Sequence, residues 1–176
     1  DRCGNAASVP QSITVAPRNT VMATVELQGL LGVAARSRCV TFDLTPVGGG
    51  PVVSTNQTVL FVGGAIGQAV FEVPCGAYEC ISAREPLHSL SRRDSDFGPV
   101  GAVYSASFTR GSATNIDDPA YDALPGGNFD GDSSVDIVDF CVFIDQYAKS
   151  ASLNTSCPGP FGALHADISG NGLVWD

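Results

Sequence analysis

The sequence predicts a mainly β chain: a β-sandwich over residues 1–112, a linker over 113–125 and a small α-helical module over 126–176. Three observations lead there. Between residue 12 and about residue 109, short stretches alternate apolar and polar residues, with turn formers between them and no convincing helical period. From residue 128 the chain instead carries an oxygen-rich loop, then apolar residues at helical spacing. The charge changes at the same place. Residues 1–112 hold eight acids and eight arginines, whereas residues 113–176 hold ten aspartates and one base, Lys149, and so the whole net charge of −9.

At 176 residues, 44% of them hydrophobic and 15% charged, the chain has the composition to bury a core. The acidic excess disfavours nucleic acid and anionic membrane, which both attract a basic face. No run of about 18 apolar residues exists to span a bilayer.

Taken in order, residues 12–15 and 21–27 alternate and read as strands. Residues 38–44 (R-C-V-T-F-D-L) place Cys39, Thr41 and Asp43 on one face and Val40, Phe42 and Leu44 on the other, as in a half-buried strand. Val47-Gly48-Gly49-Gly50-Pro51 is a turn, and residues 52–62, 68–73, 78–83 and 102–108 follow as strands. About seven strands at this spacing give the sandwich. Arg92-Arg93 beside Asp94 and Asp96 reads as a solvated mixed-charge loop.

Within this region, Ala69, Phe71 and Val73 form an inward face that meets the Pro74-Cys75-Gly76 turn, and a second strand leaves with Tyr78. Proline fixes φ and glycine supplies the permissive position, so a hairpin is expected. The stretch from Gly67 to Ala83 resembles the G-x-x-x-F-x-V-P-x-G-x-Y-x-x-x-A hairpin of prealbumin-like or Cna-B-type sandwiches, Ig-like modules of bacterial surface proteins. That resemblance implies a stalk that spaces and displays.

Residues 110–127 have linker composition, with Gly, Ser, Pro and Asp breaking any period. In the twelve residues from Asn128 to Asp139, side-chain oxygens fall at loop positions 1 (Asn128), 3 (Asp130), 5 (Asp132), 9 (Asp136) and 12 (Asp139). Ser134 offers its carbonyl at position 7, and Val135 is apolar at position 8. Calcium takes six to eight oxygens at about 2.3–2.6 Å, and this spacing wraps oxygens round one point. Four aspartates so close would repel one another without a cation between them. Ile137, Phe140, Cys141, Ile144 and Tyr147-Ala148 then make one apolar stripe on a helix reaching about Lys149. A second loop begins Asp167-Ile168-Ser169-Gly170-Asn171-Gly172-Leu173, with oxygens at positions 1, 3 and 5 and an apolar Val174 at position 8.

Two such loops separated by a helix resemble a type I dockerin module, the resemblance covering residues 126–176. By position it implies Ca²⁺ ligands at Asn128, Asp130, Asp132, Ser134 (carbonyl), Asp136 and Asp139, and at Asp167, Ser169, Asn171 and Leu173 (carbonyl). Two departures stand out. Ser133 occupies the usual glycine position, with glycine displaced to Gly131, and the second loop carries Trp175 at position 9 and breaks off at position 10, Asp176. The bland alternative for either loop is an acidic, Asx-rich turn that binds nothing.

Six cysteines, none in a zinc pattern, read as disulfides of an oxidising compartment. Cys141 with Cys157, and Cys39 with Cys75 or Cys80, are the expected pairs, with Cys3 taking the remaining partner. The start at Asp1 fits a processed, secreted chain. His88 and His165 read as packed or capping residues, and no nucleophile elbow, H-E-x-x-H or phosphate loop appears. The expected function is therefore non-enzymatic: a secreted structural subunit, stabilised by Ca²⁺, that self-assembles into an extracellular fibre or surface layer. The alternative is an adaptor docking onto a cohesin-type scaffold of a carbohydrate-degrading complex.

Overall fold

The computed structural model of the protein describes residues 17–31, 35–94, 97–100, 103–115, 117–118, 120–150, 157, 166–169, 171 and 173–174. The strand expected at 12–15, and Cys3, His165 and Trp175, lie outside them.

The described chain is mainly β. Its strands are β1 (Arg18–Glu26), β2 (Arg36–Pro46), β3 (Val53–Phe61), β4 (Ile66–Pro74), β5 (Tyr78–Arg84), β6 (Arg92–Asp94), β7 (Gly98–Val100) and β8 (Val103–Phe108), followed by one helix, α1 (Ile137–Gln146). All eight belong to one sheet in the order β6-β5-β2-β3-β4-β1-β8-β7. Only the β1–β8 pair is parallel.

The sheet curls on itself. Its two halves are joined at β3–β4 by just two residue pairs, Leu60–Gln68 and Phe61–Gly67. Gly67 permits that close turn, because a Cβ there would lie 2.6 Å from Val59 Cγ1 and 2.9 Å from the Leu60 carbonyl. Near the far ends of the strand order, the Ser107 amide of β8 donates to Asp94 of β6 at 2.7 Å. The curl brings Phe42 of β2 to 4.9 Å from Phe71 of β4 and 6.1 Å from Phe108 of β8. Val21, Val25, Val40, Leu44, Val59, Phe61, Val73 and Ile81 complete the dry centre. Burying each such side chain stabilises the fold by about 1.5–3 kcal/mol.

β4 follows the alternation its sequence predicts, with Ala69, Phe71 and Val73 buried between exposed neighbours. β2 does not. Val40, Phe42 and Leu44 face the core as expected, yet Cys39 and Thr41 on its other face are also buried.

Three expectations are corrected. β4 and β5 do not form a hairpin, since β4 pairs with β1 and β5 with β2. The Pro74–Tyr78 connection instead arches between the two halves, held by the Tyr78 hydroxyl donating to the Pro74 carbonyl at 2.7 Å and by the Cys75 amide donating to Pro17. Local turn chemistry bends a chain but does not choose the partner of the strand that leaves it. Arg92–Asp94 is a strand rather than a solvated loop, because buried Asp94 ties it to β8. The described disulfide joins Cys39 to Cys157, while Cys75, Cys80 and Cys141 are free thiols. Cys141 stays exposed on α1, because Cys157 is taken by Cys39.

Residues of the 113–125 segment are packed. Leu124 is fully buried in the main core, its amide donates to the Glu26 carbonyl, and its own carbonyl accepts from Gln28. Tyr121, Ala113 and Ala123 form a small second cluster.

Candidate metal centre

The first loop closes around Asp139. This residue is 2% exposed, and its carboxylate accepts the main-chain N–H groups of Phe129 (2.6 Å), Asp130 (3.2 Å) and Asp136 (2.8 Å). Burial alone would raise its pKa, but these bonds outweigh burial and hold the carboxyl below its ordinary value. Asp136 caps α1 by accepting from Val138, and Asp139 returns a bond to the Asp136 amide, a capping box with aspartate at both positions. Loop and helix therefore share one acidic hub.

Around that hub the remaining oxygens bend the loop. Asn128, nearly buried, accepts from the Gly131 amide and donates to the Asp132 carbonyl. Asp130 accepts from Asp132, and Asp132 from Ser134. Gly131 has φ of +79° and Ser133 no positive φ, so the displaced glycine makes the sharp turn. Asp130, Asp132 and Asp136 stay exposed. Among the described residues, no group of three or more acidic, His or Cys side chains converges. That does not decide calcium, which also takes amide and main-chain carbonyl oxygens. The donor set fits a hard cation, being all oxygen and carrying carboxylates from Asp130, Asp132, Asp136 and Asp139.

The loop is docked onto the sheet. The His88 carbonyl accepts the Gly127 and Asn128 amides at 2.8 and 3.2 Å, and the Leu90 amide donates to Pro125. The His88 ring meets Phe129 edge-on at 6.2 Å, and Phe129 stacks on Phe143 of α1 at 6.3 Å. Phe129 thus bridges sheet and helix. A cleft of about 320 Å³ lies between loop and sheet, lined by Arg84, Ser89 and Ser91 on one side and Asn128, Asp132 and Ser133 on the other.

α1 is shorter than expected, ending at Gln146, and its apolar stripe faces outward. Ile137, Phe140, Ile144 and Tyr147 are each more than half exposed, whereas its buried residues are Asp139 and Gln146. Polar anchoring wins the inner face: Asp139 holds the loop, and Gln146 accepts the Ala166 amide at 2.9 Å.

The second loop has a different setting. Asp167 and Ser169 are each 2% exposed, Leu173 is half-buried and Asn171 is exposed. Asp167 accepts the Ser169 hydroxyl and the Asn171 amide, Asn171 accepts the Leu173 amide, and the Ser169 carbonyl accepts Leu31. Ile168 fits a notch that only glycines leave open, since a Cβ on Gly126 would lie 2.3 Å from its Cδ1 and one on Gly29 3.0 Å from its Cγ1.

The sequence reading did not find three buried charged or titratable side chains of the sheet region. Arg38 is 1% exposed, Glu85 0%, and His88, which shares a 2.5 Å contact with Glu85, 7%. Burial lowers the Arg38 pKa, while the nearby Glu85 and Asp167 act to raise it. Arg38 lies on the core-facing register of β2 with Val40, and a charge in that register is the sequence signal for its burial. Among the described residues no helix is long and apolar enough to cross a membrane. No protein-family model matches the chain, and neither a curated protein nor a solved structure matches it.

Proposed function

We propose that the protein is a secreted, non-enzymatic structural subunit that binds Ca²⁺ at residues 128–139 and assembles with copies of itself into an extracellular fibre or surface layer. In this reading residues 1–112 are a sandwich, residues 126–176 a dockerin-like module, and 113–125 a connection packed against the sheet. The observation that carries it is α1, which exposes Ile137, Phe140, Ile144 and Tyr147 directly after the acidic loop that caps it. Exposed apolar side chains grouped on one element mark an interaction surface more often than chance exposure does. The sheet half built on β4 and β1 supplies a second such face, with Met22, Val70 and Ile66 exposed and Leu60 of β3 exposed beside them. Two unlike apolar faces on one chain favour head-to-tail association, which propagates. The Cys39–Cys157 bond favours an oxidising, extracellular setting.

Calcium at ten times its dissociation constant would stabilise the loop by about 1.4 kcal/mol, and through Asp136 and Asp139 would fix the exposed helix. The test is light scattering and electron microscopy on the purified chain, first in CaCl₂ and then in EDTA. Calcium-dependent filaments that Phe140→Asp or Ile144→Asp abolishes are expected. A calcium-bound monomer that captures a cohesin domain would instead favour the scaffold-docking adaptor, and absence of calcium binding would remove both.

A further inference from the structure

We propose that the open edge of β3 is a self-pairing surface, on which residues 53–59 add antiparallel to the same strand of a second copy, across a two-fold axis at Asn56. This contact needs neither calcium nor α1, and is separate from the head-to-tail assembly those two would drive.

β3 pairs with β2 along its whole length but with β4 only at Leu60 and Phe61. Among the described residues, no main-chain hydrogen bond reaches residues 53–59 from the side away from β2. Alternate residues of an antiparallel strand turn both N–H and C=O away from their partner, so this edge carries a row of free donors and acceptors. Such edges are normally blunted by brevity, charge or proline. The other edges are: β6 is three residues with Arg92 and Arg93, β7 is three residues with Pro99, and β4 carries Glu72 and Pro74. β3 has nine residues and no proline, and no charge occurs between Asp43 and Glu72.

The sequence of this edge is self-complementary. Val53-Ser54-Thr55-Asn56-Gln57-Thr58-Val59 reads nearly the same in both directions. An antiparallel pair centred on Asn56 sets Val53 opposite Val59, Ser54 opposite Thr58 and Thr55 opposite Gln57, with Asn56 opposite itself. Matched β-branched and hydroxyl pairs of this kind stabilise a ladder. Opposite residues share a face, so Ser54, Asn56 and Thr58 stay on the exposed face of both chains, while half-buried Val53, Thr55 and Gln57 extend the inner one. The Cys157 amide meets β3 through the Thr58 hydroxyl and not through its main chain. A contact of this symmetry closes at a dimer.

The test is sedimentation of the full chain in EDTA over a range of concentrations, with the accessible thiols alkylated. A monomer–dimer equilibrium is expected. Asn56→Lys and Asn56→Asp each set like charges face to face on the axis, and should raise the dimer dissociation constant about five- to tenfold. An equimolar mixture of the two sets Lys against Asp and should restore the dimer. Asn56 is exposed and among the described residues accepts only the Thr41 hydroxyl, so both variants should keep the circular dichroism of the unmutated chain. A chain that stays monomeric up to about 1 mM overturns the proposal. So does a dimer that either variant leaves intact, or that the mixture fails to restore. Hydrogen exchange on the unmutated chain decides it without a variant. Protection of amides within 53–59 should rise with concentration in EDTA, and protection independent of concentration overturns the pairing. Filaments that fail to form in CaCl₂ while this dimer persists remove the fibre reading and leave the edge contact standing.

Discussion

The two acidic loops share a spacing and almost nothing else. Residues 128–139 keep three aspartates in solvent and commit the fourth, Asp139, to the start of α1. Residues 167–174 bury their leading aspartate and serine, and fix Ile168 between two glycines. The same spacing of oxygens therefore meets two different surroundings. Three carboxylates of the first loop face water, whereas the leading carboxylate and hydroxyl of the second are sealed from it.

The largest expected break in this comparison comes from the disulfide. Cys157 lies between α1 and the second loop, and its bond to Cys39 closes 118 residues. In the chain-entropy view such a loop contributes about 4–5 kcal/mol. Cys39→Ala, or reduction, should lower global stability by that order in urea unfolding. In hydrogen exchange it should loosen residues 166–174 before residues 128–139.

Asp139→Ala should cost about 2–4 kcal/mol, since it leaves three main-chain N–H groups without their acceptor and removes the Asp139 half of the capping box. Far-ultraviolet circular dichroism should show the loss of α1. The same carboxyl gives a pH signature. Its folded pKa is depressed, so its stabilisation is present above the unfolded value of about 3.9 and is lost as pH falls through the lower folded value. The helix signal should fall in acid over that window, and Asp139→Asn should flatten the dependence.

Gly126→Ala sets a methyl group 2.3 Å from Ile168 and 2.7 Å from the Gln28 carbonyl. Overpacking of this kind costs about 1–3 kcal/mol. It should appear as lost protection at Leu31, with calcium affinity at the first loop little changed. Lys149→Ala should matter least. Its ammonium sits 3.6 Å from an Asp145 carboxylate that is largely exposed, and such pairs contribute a few tenths of a kcal/mol. A Tm shift of several degrees would mean the pair does more than that.

Much of the sheet was legible because alternation is a local property. β1, β2, β3, β4, β5 and β8 all fall where residues 21–108 alternate. β6 and β7 are three residues each, too short to alternate. Partner choice was not legible either: nothing between Phe71 and Tyr78 says that β5 crosses to β2. The acidic loop and its helix were found from spacing, but spacing does not say which way the stripe of Ile137, Phe140 and Ile144 faces. Its orientation depends on what Asp139 and Gln146 hold, which no periodicity reveals. Arg38 was read as one end of a strand, and nothing in its local pattern says that a full charge is buried there. Residues 113–125 looked like a linker by composition, and only contact with Glu26 and Gln28 shows Leu124 as core.

The bond between Cys39 and Cys157 also sets an order of events during synthesis. Cys39 emerges long before its partner, and Cys75, Cys80 and Cys141 all pass it first. Random oxidation of the growing chain would trap one of those earlier thiols. The native pair is therefore favoured if the sheet forms while the thiols are still reduced, which buries Cys80 on β5. Oxidation after residue 157 has arrived then seals a finished structure. Refolding from the reduced state should give more native product when oxidant is added late than when it is present throughout.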